Sequence, residues 1–412
     1  MQLPKSLSAS VLGLLALLNG ANGAAKPSKM VASTYFAGFH ANEGFPVSAI
    51  PWDRYNDIKY AFAETTPDGG LSIAKAAPDQ LPVFVAAAHK HCVKARVSIG
   101  GWTGSRYWST SIGSAANRTA FVKTCLDFVK KYNLDGFDID WEYPNRQGIG
   151  CNAINKDDTA NLLKFLQEVR EDPHGKKLYL TVAASLFPWN DASGAPSKDL
   201  SGFAKVLDNI MLMNYDIWGP WLATGGPNAP LYRSCDARNN QGSAEDAVTS
   251  WEAAGVPASK LVLAVPAYAH GFSVTNKDAF ANGKLSEYPP QNASIRFQGS
   301  SWDNDPPIDE CGNKNPPGGT YTFWSLVTEA KFLDNSGNPA PGIAYVWSNC
   351  SRTPALYSKE RDIWVSYDNA RSFAEKGKFI LDNKLAGFTM YEAGGDYHNI
   401  LVNSIRKATG MD

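Results

Sequence analysis

The chain has 412 residues, 44% hydrophobic and 19% charged, the balance of an ordinary globular protein. A formal net charge of −1 and the lack of any Lys/Arg block exclude a surface built for nucleic acid and point to an uncharged substrate. The length fits one large barrel with an insertion, or two ordinary domains.

Residues 1–23 read as a signal peptide. Lys5 supplies a positive start, Val11 to Leu18 forms a short apolar run, and Ala21-Asn22-Gly23 offers a small-x-small cleavage site. The run is too short to span a bilayer, and no later stretch resembles a span. The mature protein is therefore expected to be secreted, to begin near Ala24 and to need no membrane partner.

Short apolar β-type runs follow at Ser33–Phe39, Ile58–Ala63, Ala95–Ile99, Leu134–Asp140, Leu178–Ala184, Asn209–Asn214, Leu261–Ala267 and Leu385–Tyr391. Helical patterns lie between them at Leu81–Cys92, Ala115–Lys131, Asp157–Glu171, Ala244–Ala254 and Asn369–Asn383, and Ser243 with Asp246 has the spacing of a capping box. Strands alternating with helices imply a parallel sheet, and eight repeats favour an α/β fold closed as a (β/α)8 TIM barrel. No GxGxxG or Walker motif opens any helix, so no nucleotide cofactor is expected. Between the seventh and eighth strands lie roughly a hundred residues, far beyond a usual loop. They are rich in Gly, Pro, Asn and aromatics, and predict a small α+β insertion over about 270–360 within a catalytic domain spanning 24–412.

Six Cys without a CxxC suit disulfides in an oxidising compartment better than a metal site, and the six scattered His assign no metal. Topology suggests Cys92–Cys125 between successive helices, Cys311–Cys350 within the insertion, and Cys151–Cys235 between the loops after the fourth and sixth strands. Sequons at Asn117, Asn292 and Asn349 offer glycosylation sites.

Chemistry concentrates in Leu134 to Pro144, LDGFDIDWEYP. Alternate strand residues share a face, so Asp138, Asp140 and Glu142 point one way while Phe137, Ile139 and Trp141 point the other. In a barrel the apolar set packs under the helices and the acids climb the interior toward the C-terminal rim. Stacked buried acids must share protons and hydrogen bonds, which separates their pKa values and leaves the rim acid, Glu142, able to donate a proton near neutral pH. A solvated acidic face is opposed by the alternation with Phe, Ile and Trp. A divalent-metal site ranks below catalysis, with no His nearby. Asp135 lies off the shared face and suits a structural bond at the strand entry.

Asp135-x-x-Asp138-x-Asp140-x-Glu142 resembles the DxxDxDxE signature of the family 18 glycoside hydrolases, the chitinases, here of secreted, fungal type. Ser98-Ile99-Gly100-Gly101-Trp102 resembles that family's SxGG motif, Met213-Asn214-Tyr215-Asp216 its MxYD motif, and Leu263 to Pro266 its seventh strand. The likeness runs from about Val31 to about Ile405. It implies a substrate-assisted retaining mechanism, an exception to the usual pair of enzyme carboxylates. Glu142 would protonate the glycosidic oxygen, and the sugar's own acetamido oxygen would attack to give an oxazolinium ion. Asp140 would orient the acetamido N–H, Asp138 would share a proton with Asp140, and Tyr215 would hold the acetamido carbonyl. Asp216 and Met213 would contribute to the sugar site.

The same resemblance suggests Tyr35, Phe62, Tyr143 and Tyr268 as cleft aromatics, with inward packing an equal alternative. Gly100 and Gly101 suggest backbone passing close to the cleft, and Trp102, Trp218 and Trp221, in loops at predicted strand ends, could each stack a sugar ring or simply pack. Two departures stand out. Tyr391, followed by Glu392, occupies a floor position where relatives carry Trp, and Tyr268-Ala269-His270 replaces Tyr-Gly-Arg, removing a permanent cation. The function expected is an endo- or exo-acting chitinase on chitin and chitooligosaccharides, acting as a monomer. A non-catalytic chitin-binding lectin and an endo-β-N-acetylglucosaminidase acting on N-glycans are the alternatives.

Overall fold

A computed structural model describes residues 30–411; the leader expected at 1–23 lies outside them. The barrel strands are β1 (Val31–Ala37), β2 (Asp57–Thr65), β3 (Lys94–Gly100), β4 (Gly136–Asp140), β5 (Tyr179–Ala184), β6 (Asn209–Met213) and β7 (Leu261–Pro266). The insertion strands are β8 (Tyr268–Ser273), β9 (Thr320–Thr322), β10 (Ala344–Trp347), β11 (Pro354–Ser358) and β12 (Ile363–Ser366), and β13 (Gly387–Tyr391) completes the barrel. β1 through β7 and β13 run parallel, and β1 pairs with both β2 and β13, which closes the ring. The eight apolar runs of the sequence thus form the TIM barrel they predict.

Their outward residues explain the closure. Val97 and Ile99 on β3, Phe137 and Ile139 on β4, and Leu180 and Val182 on β5 are buried, with α-helices packed outside. Those helices are α1 (Gln80–Lys90), α2 (Ala115–Tyr132), α3 (Asp158–Glu171), α4 (Ser201–Val206), α5 (Ala244–Ala253), α6 (Ala370–Asp382) and α7 (Ile400–Ala408). The first strand lacks a helical partner: only short 3-10 turns join β1 to β2, where Pro46 and Pro51 break the backbone. Ser243 caps α5 by accepting from the Asp246 N–H at 3.2 Å, but the Asp246 carboxylate accepts from the Ser243 hydroxyl, so the motif is a side-chain pair.

The insertion is an antiparallel five-stranded sheet in the order β9-β8-β12-β11-β10. It begins at Tyr268 and returns at Ser366, wider at both ends than 270–360, because β8 continues from β7 across Ala267 alone. Phe272, Val274, Tyr357 and Trp364 form its core together with Trp218 from the loop after β6.

The cysteines pair differently from the topological expectation. Cys151 bonds Cys311 and Cys235 bonds Cys350, so neither Cys151–Cys235 nor Cys311–Cys350 forms. The insertion folds back over the barrel loops, bringing its two cysteines against theirs. Cys92 and Cys125 are both free, because Cys92 is exposed just beyond α1 while Cys125 points into the core. Asn117, Asn292 and Asn349 are all exposed.

Candidate active site

Strand register builds the site level by level. Ser98 on β3, Asp138 on β4 and Thr181 on β5 stand side by side. Asp138 is fully buried. Its Oδ2 accepts from Ser98 Oγ at 2.8 Å and from the Tyr35 hydroxyl at 3.2 Å, and its Oδ1 accepts from the Thr181 hydroxyl. Three donors satisfy this carboxylate without a cation in contact.

One level higher, Asp140 stands between Gly100 and Ala183, neither of which has a polar side chain. Its Oδ1 is buried without a hydrogen-bond partner among the described residues, an unusual arrangement for a carboxylate. Burial pushes its pKa well above the usual carboxylate range, and the nearby Glu142 and Asp138 push the same way against Lys59. Gly100 is required here: at φ 117°, a Cβ would lie 2.1 Å from the Asp140 carbonyl oxygen. The glycine pair therefore admits β4 and the Phe62 ring, which are the neighbours a side chain would strike.

Glu142 lies two residues beyond β4. Its backbone is clamped on both sides: its N–H donates to Ser105 Oγ at 3.0 Å, and its carbonyl accepts from Asn152 Nδ2 at 2.7 Å. The Ser105 hydroxyl also reaches the carbonyls of Gly101 (2.7 Å) and Asp140 (2.9 Å), tying the ends of β3 and β4 together. Burial raises the Glu142 pKa to about 7, with Asp216 adding to the rise while the Tyr143 hydroxyl and Arg146 oppose it. A carboxylic acid at about 7 is poised to give and take protons near neutrality. Trp141, between the two acids, is 2% exposed and stacks on Trp108 outside the barrel, as the alternation requires.

Tyr215 follows β6 and sits in the field of Asp140, Asp216 and Glu142. Burial first, then these acids, raise its pKa well above 10, so its hydroxyl remains a donor. Met213, at the end of β6, is buried. Asp216 adopts a positive φ, its N–H donating to Asn228 Oδ1 at 2.8 Å. Its Oδ1 accepts from the Tyr268 hydroxyl at 2.8 Å and contacts His270 Nε2 at 2.7 Å. His270, which stands in place of the arginine of the Tyr-Gly-Arg pattern, thus meets Asp216 with one ring nitrogen.

Tyr391 joins the aromatic residues into one floor, with ring centroids 5.4 Å from Tyr35, 6.2 Å from Tyr268, and 6.4 Å from both Phe62 and Tyr215. Tyr35 is only 1% exposed, so it supports the floor and bonds Asp138 rather than offering a sugar-facing surface. Phe62, Tyr143, Tyr268 and Tyr391 are partly exposed. Trp102, on a single helical turn at Gly101–Gly104, is 50% exposed and Trp221 is 53% exposed, whereas Trp218 is buried in the insertion core. Asp135 does bind at the strand entry, its Oδ2 accepting from the Ala95 N–H at 2.8 Å and meeting His89 Nε2 at 2.9 Å. The peptides Ala61–Phe62, Glu142–Tyr143 and Tyr391–Glu392 are cis.

Sequence reasoning missed Ser105, Asn152, Thr181 and Asn228. Thr181 had a signal, since it shares the inward parity of β5. The other three come from loops and carry none.

A profile described as glycosyl hydrolases family 18 matches residues 32–396. The chain is 47% identical over 405 residues to a chitinase-like effector of Moniliophthora roreri, covering 97% of each. It is 30% identical over 328 residues to Chitinase A1 of Niallia circulans, covering 76% of this chain and 42% of that one. A solved chitinase from Rhizomucor miehei superposes with a TM-score of 0.83 at 34% identity, covering 92% of this chain and all of the other. The chain belongs to glycosyl hydrolase family 18.

Proposed function

We propose that the protein is an active, retaining chitinase that cleaves β-1,4-linked N-acetylglucosamine polymers with help from the substrate's acetamido group. The observation that carries this reading is Glu142, held protonated up to about 7 above the buried and unpartnered Asp140. Glu142 protonates the leaving oxygen. Tyr215 donates to the acetamido carbonyl and holds it against the anomeric carbon, which saves orientational entropy. Asp140, whose buried Oδ1 has no protein partner to hold it, turns toward the substrate to accept from the acetamido N–H and supports the positive charge of the oxazolinium ion. Asp138, secured by its three donors, exchanges a proton with Asp140. Glu142 then takes a proton from water as the ring opens.

Trp102 and Trp221, both exposed, would stack on neighbouring sugars along the groove. Two disulfides and three exposed sequons fit a secreted protein. A second reading is a chitin-binding lectin, favoured by the name "chitinase-like effector" of the Moniliophthora roreri relative. The intact acid, its partner and Tyr215 weigh against it. A time course of labelled chitohexaose with anomer analysis separates the readings. Early products with retained β configuration support the enzyme. Binding without cleavage supports the lectin, and α products would exclude acetamido assistance.

A further inference from the structure

Below the catalytic acids lies a charged layer that the mechanism above does not use. Asp57 and Lys59 on β2 and Arg96 on β3 point into the barrel and are 2%, 0% and 0% exposed. Arg96 grips Asp57 with two nitrogens, one of them at 2.6 Å, and its Nη1 donates to Thr181 Oγ1 at 2.5 Å. Thr181 in turn donates to Asp138. Lys59 Nζ donates to Ser33 Oγ at 2.8 Å and Thr389 Oγ1 at 2.9 Å, and lies 4.3 Å from the centre of the Tyr35 ring. Ser33 donates to Asp57 at 2.7 Å, and Tyr35 donates to Asp138. One hydrogen-bonded route through Thr181, and a second through the Lys59–Tyr35 cation–π contact, therefore run from this layer to the same carboxylate.

Charge counting gives the layer a purpose. It holds two cations and one carboxylate, all fully buried, leaving one positive unit uncompensated. Directly above stand Asp138 and Asp140, also buried. Both ionised would leave a net negative charge in a dry interior, and both neutral a net positive one; either is costly. One ionised and one protonated balances the layer.

We infer that the Asp57–Lys59–Arg96 layer supports the catalytic acids, its single uncompensated positive charge fixing one negative charge, and so one shared proton, across Asp138 and Asp140. These are positioning residues, acting through Thr181, Tyr35 and their field rather than by touching substrate. The other ionisable groups facing them are Glu142 just beyond β4, Tyr35 from β1, Tyr179 from β5, Tyr215 just after β6 and Tyr391 from β13; β7 carries none. Burial brings the Lys59 ammonium down to about 8, against the pull of Asp57, Asp138 and Asp140, so it is charged at neutral pH. The inference deepens the chitinase reading by naming what holds its acid pair in the one-proton state.

Lys59→Gln removes the spare charge and keeps a hydrogen-bonding side chain. Without the cation the pair takes up a second proton more readily. The acid limb of the kcat profile should then move up by on the order of one pH unit, with KM changed by less than about threefold. A lower melting temperature with an unmoved acid limb would reduce Lys59 to a structural role and overturn the inference. Carboxyl 13C NMR of aspartate-labelled wild type gives a second test that needs neither turnover nor a variant. Asp138 and Asp140 should carry one ionised group between them across neutral pH; two independent ionisations below pH 5 would also overturn it. If the wild type proves inactive, the chitinase reading fails while the NMR titration still decides this one.

Discussion

The lower and upper levels of the barrel interior hold similar ionisable groups and treat them in opposite ways. At the lower level the one carboxylate is doubly paired: Asp57 lies against Arg96 and Lys59, and although burial opposes its ionisation, those two cations bring its pKa down to about 2. At the upper level Asp140 has an orphaned oxygen and Glu142 no cation in contact, and burial drives both upward. The difference shows where stability ends and reactivity begins. A paired carboxylate is inert because its proton is gone for good. An acid held without a partner keeps its proton until a substrate arrives to take it.

The comparison can be broken from the top. Glu142→Gln should lower turnover by at least about a thousandfold while oligosaccharide binding, followed by calorimetry, persists. Residual activity within tenfold of wild type would remove Glu142 from the chemistry. From below, Arg96→Met strands Asp57 in the interior and should destabilise the fold by about 3–5 kcal/mol, read by chemical denaturation. A loss under 1 kcal/mol would mean the layer is not rigidly paired.

A finer test uses the sign of the linkage. Glu142 has a folded pKa of about 7 against 4.5 for a free side chain, so the folded state binds the extra proton between those values. Stability therefore falls as pH rises through that window, and the penalty is complete above it. At pH 8, Glu142→Gln should be the more stable protein by roughly 2–3 kcal/mol, with the gap closing below pH 4.5. A variant less stable than wild type at pH 8 would contradict the poised acid. The smallest effect belongs to the rim: Trp102→Ala should raise KM by about two- to tenfold with kcat nearly unchanged, and an equal fall in kcat would move Trp102 from binding to catalysis.

How much of this was legible in the sequence follows from which forces are local. Strand alternation depends only on neighbours in the chain, so the eight strands and the inward set Asp138, Asp140 and Glu142 could be read directly. Cysteine pairing depends on where the insertion docks, and topology alone gave three pairs that do not form. Trp102 and Trp218 look alike as loop tryptophans; only packing makes one half-exposed and the other core. The charged layer had an overlooked signal. Asp57 and Lys59 share one face of β2, and a face covered by helices would not accept them, so the interior was the only place left for both. His270 could be seen as a lost arginine, but its contact with Asp216 needed coordinates.

The most direct measurement is the titration of the Glu142 side chain itself, by 13C NMR of glutamate-labelled protein with the resonance assigned against Glu142→Gln. A midpoint near 7, accompanied by loss of turnover over the same pH range, is the result the account expects. A midpoint near 4.5, the ordinary value for a glutamic acid, would contradict it.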